Sequence, residues 1–93
     1  MIRSFRDRET ERIWNGEVSR RLPQDIHAVA LRKLRLLNRA RNLDDLRAVP
    51  GNVFEALQKD RLGQCSIRIN RQWRVCFVWK EGHAYEVEIV DYH

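Results

Sequence analysis

The chain is poor in cysteine, in lysine and in uninterrupted apolar sequence, and each shortage removes a class of protein. Two cysteines, Cys65 and Cys76, are too few for a disulfide framework and show no Cys-x-x-Cys spacing, so they read as reduced, structural thiols. No local spacing brings His27, His83 or His93 to them, so neither a metal centre nor another cofactor is expected. Apolar runs last only a few residues, which argues against a membrane span. The opening Met1-Ile-Arg-Ser-Phe-Arg also lacks the apolar stretch of a secretory signal. A soluble, cytoplasmic protein is therefore expected. No internal repeat, low-complexity segment or linker interrupts the chain, and residues 1–93 read as one domain.

What the chain has in abundance is arginine. Eighteen basic against thirteen acidic residues leave a net charge of +5, and all but Lys33, Lys59 and Lys80 of the basic residues are arginines. The planar guanidinium matches phosphate oxygens and stacks on bases, which points to a nucleic acid or an acidic protein as partner. An ordinary basic surface is the competing interpretation.

Residues Ile2 to Phe5 alternate like a short edge or starter strand. Asp7 offers an N-cap, with Glu9 and Glu11 near the positive end of a helix running to about Trp14. Pro23 suits a first helical turn, and Ile26, Val29, Ala30, Leu34 and Leu37 recur at helical spacing, predicting a long amphipathic helix over 23–39. Its outer face carries a ridge of Arg32, Arg35 and Arg39. Asn42-Leu-Asp-Asp-Leu reads as a capped turn entering a short helical piece, and Pro50-Gly51-Asn52 marks a change of architecture. Beyond it, strands are predicted at Val53 to Leu57, Cys65 to Asn70, Trp73 to Trp79 and Ala84 to Asp91. Helices followed by sequential hairpins imply an α+β fold, a small twisted antiparallel sheet with two N-terminal helices packed on one face.

Alternation along a strand sorts the side chains. Ile67 and Ile69 share one face with the row Trp73, Val75, Phe77 and Trp79, leaving Arg68, Asn70 and Arg74 on the open side. On the last strand, strict alternation groups Tyr85, Val87, Ile89 and Asp91 against Ala84, Glu86, Glu88, Val90 and Tyr92. Arginines on adjacent strands repel unless an anion lies between them, which favours a phosphate, or unless Glu86 or Glu88 neutralises them. Because the apolar strand runs up to Asp91, Tyr92 and His93, these three residues are expected to lie against the sheet.

Three segments, Leu57-Gln-Lys-Asp-Arg-Leu-Gly-Gln, Ser66-Ile-Arg-Ile-Asn-Arg-Gln-Trp-Arg and Val87-Glu-Ile-Val-Asp-Tyr-His93, resemble the HigB branch of the RelE toxin superfamily. The resemblance extends to length, the opening residues and the order of elements. It implies a RelE-like fold and a toxin of a type II toxin–antitoxin pair that enters the ribosome and cuts mRNA. The implied partners are the ribosome, its mRNA and a HigA-like helix-turn-helix antitoxin, with operator DNA bound only through the toxin–antitoxin complex. The family's motif positions fall at the Gln58-Lys59 turn, Gln72, Arg74, Asp91, Tyr92 and His93. The catalytic candidates are Arg74, Asp91, Tyr92 and His93, and the RNA-binding candidates are Lys59, Arg61, Gln72 and, from strand alternation, Arg68 and Asn70. Two departures suggest a milder toxin: Gln58-Lys-Asp-Arg stands where Lys-Gly-Asp-Arg is common, and Glu55 stands where some relatives have a histidine.

The implied chemistry is consistent with these residue types. Cleaving RNA without a metal requires the 2′-hydroxyl to lose its proton, the phosphorane charge to be neutralised and the leaving 5′-oxygen to be protonated. Arginine at positions 74 and 68 suits the charge, His93 and Asp91 suit proton transfer, and Tyr92 suits stacking on a base. Two other functions fit the same scaffold, a ParE-like gyrase inhibitor and an RNA-binding module without catalysis.

Overall fold

In the computed structural model, which describes residues 1–92, the helices α1 (Arg8–Trp14), α2 (His27–Arg39) and α3 (Leu43–Arg47) precede a four-stranded sheet. The strands β1 (Glu55–Ala56), β2 (Gln64–Arg68), β3 (Trp73–Lys80) and β4 (His83–Asp91) lie in the order β1-β2-β3-β4, every neighbour antiparallel. This is the predicted α+β architecture of the RelE-like fold. Among the described residues, no helix is long and apolar enough to cross a membrane.

Asp7 takes the extended N-cap conformation expected of it, although its side chain makes no capping bond, and Gly16 at φ +80 follows the end of α1. Helix α2 begins later than its periodicity suggests. Pro23 is extended at ψ 137, so the chain first passes through a 3-10 turn, Gln24–Ile26, before the regular helix starts. Its inner stripe is Ala30, Lys33, Leu34 and Leu37, and Arg32, Arg35 and Arg39 are exposed on the opposite side. Helix α3 has the expected cap: the Asn42 side chain accepts from the Asp45 amide at 3.0 Å, and the Asp45 carboxylate accepts from the Asn42 amide at 3.3 Å.

The N-terminal segment joins the sheet through isolated parallel bridges, Ile2 with Ala84 and Phe5 with Val87. The strand predicted over 53–57 contracts to Glu55–Ala56, because Pro50–Asn52 forms a 3-10 turn and Val53 turns left-handed before pairing can begin. The largest departure from strict alternation lies in β4. Cys76 pairs with Glu88 but Val78 pairs with Tyr85, so two residues of β4, Glu86 and Val87, oppose one residue of β3. Glu86 takes up the extra residue at φ +53. The bulge reverses the facing of everything before it: Ala84 joins Val87 and Ile89 in the core, whereas Tyr85 moves to the outer face with Val78.

The core lies between the helices and one face of the sheet, where Ile67, Val75, Phe77 and Val87 meet Ala30, Leu34 and Leu37. Full burial of each large aliphatic side chain contributes roughly 1.5–3 kcal/mol. Helix α1 is tied to β4 by a directed bond, since the Ile89 amide donates to the buried Thr10 Oγ1 at 2.9 Å. With one face committed to the core, the chemistry is left to the other.

Candidate functional site

Pairing across the sheet builds the outer face in rows. Glu55, Ser66, Cys76 and Glu88 are successive partners from β1 to β4, and Arg68, Arg74 and Val90 form the adjacent row. The register therefore places Arg68 and Arg74 directly opposite each other, where like charges repel. Two different environments resolve the conflict. Arg68 is half-buried and, among the described residues, has no ion-pair or hydrogen-bond partner, whereas Arg74 is buried with only 7% of its surface exposed.

Arg74 is held at nearly every nitrogen. Its Nε donates to Ser66 Oγ at 2.8 Å, Nη2 donates to the Val53 carbonyl and, at 3.5 Å, to the Ser66 carbonyl, and Nη1 lies 3.8 Å from a Glu55 carboxylate oxygen. The Tyr92 ring covers the guanidinium, with Cζ 5.8 Å from the ring centroid. The open side suggested by alternation is thus closed over Arg74 by Val53, Glu55 and Tyr92. Neutralisation comes from Glu55 and not from the glutamates of β4: Glu86 is exposed at the bulge, and Glu88 binds Arg61 at 2.8 Å and Arg6 at 3.7 Å.

A groove of about 340 Å³ opens above this floor, lined by Val53, Arg68, Asn70, Arg71, Arg74 and Tyr92. Four of the residues singled out from the sequence meet here: Arg68, Asn70, Arg74 and Tyr92. Asn70 also has a structural task, because its Oδ1 accepts from the amides of Gln72 and Trp73, both at 2.8 Å, and so shapes the turn between β2 and β3. Gln72 lies outside the groove lining and anchors the chain end. Its carbonyl accepts from the Tyr92 amide at 2.7 Å and its side chain donates to Asp91 Oδ2 at 3.0 Å, which sets Tyr92 over Arg74.

The remaining selected residues lie elsewhere. Asp91 pairs with Trp73, so it shares the helix-covered face and stands at its rim, away from Arg74. Lys59 is exposed on the 3-10 turn Lys59–Arg61, with φ +55. Arg61 lines a separate polar cleft with Arg6, Asp60, Gln64 and Glu88, and its bond to Glu88 holds the guanidinium pKa above the ordinary arginine value. His93 lies outside the described residues.

Three members of the groove and its floor were not singled out from the sequence: Val53, Arg71 and, as a partner of Arg74, Glu55. A local signal existed only for Arg71, an arginine in the turn between two strands that each carry an arginine. Val53 is the least foreseeable, because a β-branched residue at φ 41, ψ 59 costs about 1–3 kcal/mol and is tolerated only where its surroundings enforce it. Cys76 lies beneath the same face; burial, partly offset by Arg61, pushes its thiol from 9.0 up to about 11, which keeps it protonated and inert at neutral pH. Among the described residues, no group of three or more His, Cys, Asp or Glu could hold a metal ion.

The arrangement suits an anion with a flat group beside it: a buried guanidinium on the floor, two guanidinia on the walls that have no partner among the described residues, and a tyrosine ring alongside. A family model described as a RelE-like toxin of the type II toxin–antitoxin system HigB matches residues 3–93. Toxin HigB-1 of Vibrio cholerae serotype O1 is 40% identical over 85 residues, covering 90% of this chain and 90% of that protein. An uncharacterized protein of Haemophilus influenzae is 32% identical over 81 residues, covering 86% of this chain and 80% of its own length.

Proposed function

Because the chain belongs to the HigB-like toxins of type II toxin–antitoxin systems, we propose that it is a ribosome-dependent endoribonuclease that halts translation in the cytoplasm by cutting mRNA. The observation that carries this reading is Arg74, a buried and pre-oriented guanidinium beneath a groove walled by two arginines that have no partner among the described residues. A guanidinium that needs no reorganisation when charge develops is what a phosphorane requires.

In this reading the scissile phosphate sits on Arg74, Arg68 and Arg71 hold the flanking phosphates, and the neighbouring base stacks on Tyr92. The 2′-hydroxyl loses its proton to a carboxylate and attacks the phosphorus, its bond to the 5′-oxygen breaks, and the departing oxygen takes a proton from His93. A 2′,3′-cyclic phosphate and a 5′-hydroxyl result. Glu55, already 3.8 Å from Arg74, is the carboxylate best placed to take that proton. Asp91 acts by fixing the chain end through Gln72. Lys59 and Arg61 extend the basic surface toward the ribosome.

A type II toxin has an antitoxin partner, and we take it to be a HigA-like helix-turn-helix protein through which the complex reaches operator DNA. Incubation with purified ribosomes and a translated message tests the central claim: site-specific breaks with cyclic phosphate ends are expected, and a message intact at every codon would refute it. Removing His93, or extending the chain beyond it, should lower toxicity, while Arg35→Ala on the far side of α2 should not.

A further inference from the structure

Lys33 does not belong where it is on ordinary grounds. It lies on the inner stripe of α2 with 8% of its surface exposed, and among the described residues no carboxylate reaches it. An aliphatic side chain would fill that place without desolvating a charge. Burial, aided by neighbouring Arg32, lowers its pKa from the ordinary lysine value. Its amine has one directed partner, Asn52 Oδ1 at 2.7 Å.

Asn52 is itself fully buried, and its Nδ2 donates to the Leu46 carbonyl at 3.0 Å. Both ends of that side chain are therefore clamped, one by α2 and one by α3. The next residue is Val53, held left-handed at φ 41, and its carbonyl accepts from Arg74. The path from helix to groove is short and continuous: Lys33, Asn52, the Val53 backbone, Arg74.

We propose that Lys33 is a positioning residue: by clamping Asn52 it keeps Val53 in the left-handed conformation whose carbonyl fixes the Arg74 guanidinium on the groove floor. The proposal rests on the ribonuclease reading for its functional consequence, though not for its structural part. It accounts for two anomalies together, a buried cation with no counter-ion among the described residues and a β-branched residue with positive φ. Each is unfavourable alone, and the first supplies the constraint that the second requires.

Glycine separates this role from a merely structural one, because without a Cβ it adopts φ near +41 unaided. Lys33→Met should lower the single-turnover cleavage rate about a hundredfold, as a misplaced catalytic group does, with little change in ribosome affinity. Lys33→Met/Val53→Gly should recover to within about threefold of the Val53→Gly protein, since the clamp is no longer needed. A lysine that only stabilised the fold would show no such rescue, and absence of rescue would overturn the proposal, as would full activity of Lys33→Met. If Lys33→Met fails to fold, the comparison of Val53→Gly with the double variant decides alone: equal cleavage supports the clamp and a loss in the double variant refutes it. The Arg74 Nε–H resonance provides an arm independent of catalysis. It should exchange slowly with water in the wild type, quickly in Lys33→Met and slowly again in the double variant, and unchanged exchange in Lys33→Met would refute the proposal. Should the wild type leave ribosome-bound mRNA intact, the ribonuclease reading fails and this resonance still tests the clamp.

Discussion

Replacing Arg74 by lysine keeps the charge and removes the fork, which separates a positioned guanidinium from generic basicity. The guanidinium now satisfies Ser66 Oγ at 2.8 Å and the Val53 carbonyl, with Glu55 at 3.8 Å. A lysine amine can reach one of these groups but not all of them, and Ser66 is fully buried. Hydrogen bonds from a charged donor are worth about 1.5–3 kcal/mol each, so losing one and straining another should cost about 2–4 kcal/mol of stability. In a domain of this size that lowers the melting temperature by about 10–20 °C. The effect on cleavage should be larger than the stability loss explains, because a single misplaced donor to a developing oxyanion lowers the rate about 100–1,000-fold. Thermal denaturation and single-turnover cleavage on ribosomes, both at a temperature where the variant is folded, measure the two effects. A variant that melts within a few degrees of the wild type and cuts at a comparable rate would show that the fork geometry is immaterial.

Asn70 should divide its two tasks between two variants: Asn70→Ala loses the turn bonds to Gln72 and Trp73 and about 1–2 kcal/mol. Asn70→Asp should instead keep the turn and its stability but weaken RNA binding through the added negative charge, which melting and filter binding distinguish. Thr10→Val should leave the Ile89 amide without its acceptor and lower urea stability by about 1–3 kcal/mol, with cleavage unchanged at temperatures where the variant is folded. The Cys76 thiol, raised from 9.0 to about 11, contributes stability that is fully present below pH 9 and is lost as pH rises toward 11, because the unfolded chain gives up this proton first. The difference amounts to about 3 kcal/mol. Urea titrations at pH 8 and near pH 11 should show that loss in the wild type and a flatter profile in Cys76→Ala, and identical slopes would refute it.

The parts of this protein visible in its sequence are those written by local periodicity. The inner stripe of α2, the capped turn at Asn42, the strands around Ile67 and Val75 and the placing of Arg68 and Arg74 on one face are all legible in short stretches of chain, whereas the pairing of those two arginines is not. The same regularity misled at β4, where one extra residue at Glu86 shifts the facing of Ala84 and Tyr85, and no pattern in Ala-Tyr-Glu-Val announces a bulge. The family resemblance, not the spacing, marked Asp91 as catalytic, and the register with Trp73 sets it on the opposite face of the sheet from Arg74.

What the sequence determined by itself was the class of fold and the chemical character of one face, because hydrophobic alternation and arginine content are properties of short segments. What the tertiary structure decided was which arginine is buried and what holds it. Arg74 gains its environment from Val53, Glu55, Ser66 and Tyr92, residues brought together only by strand pairing and by a chain end tied down through Gln72. Contacts across such distances depend on the register of the whole sheet, which local spacing does not encode.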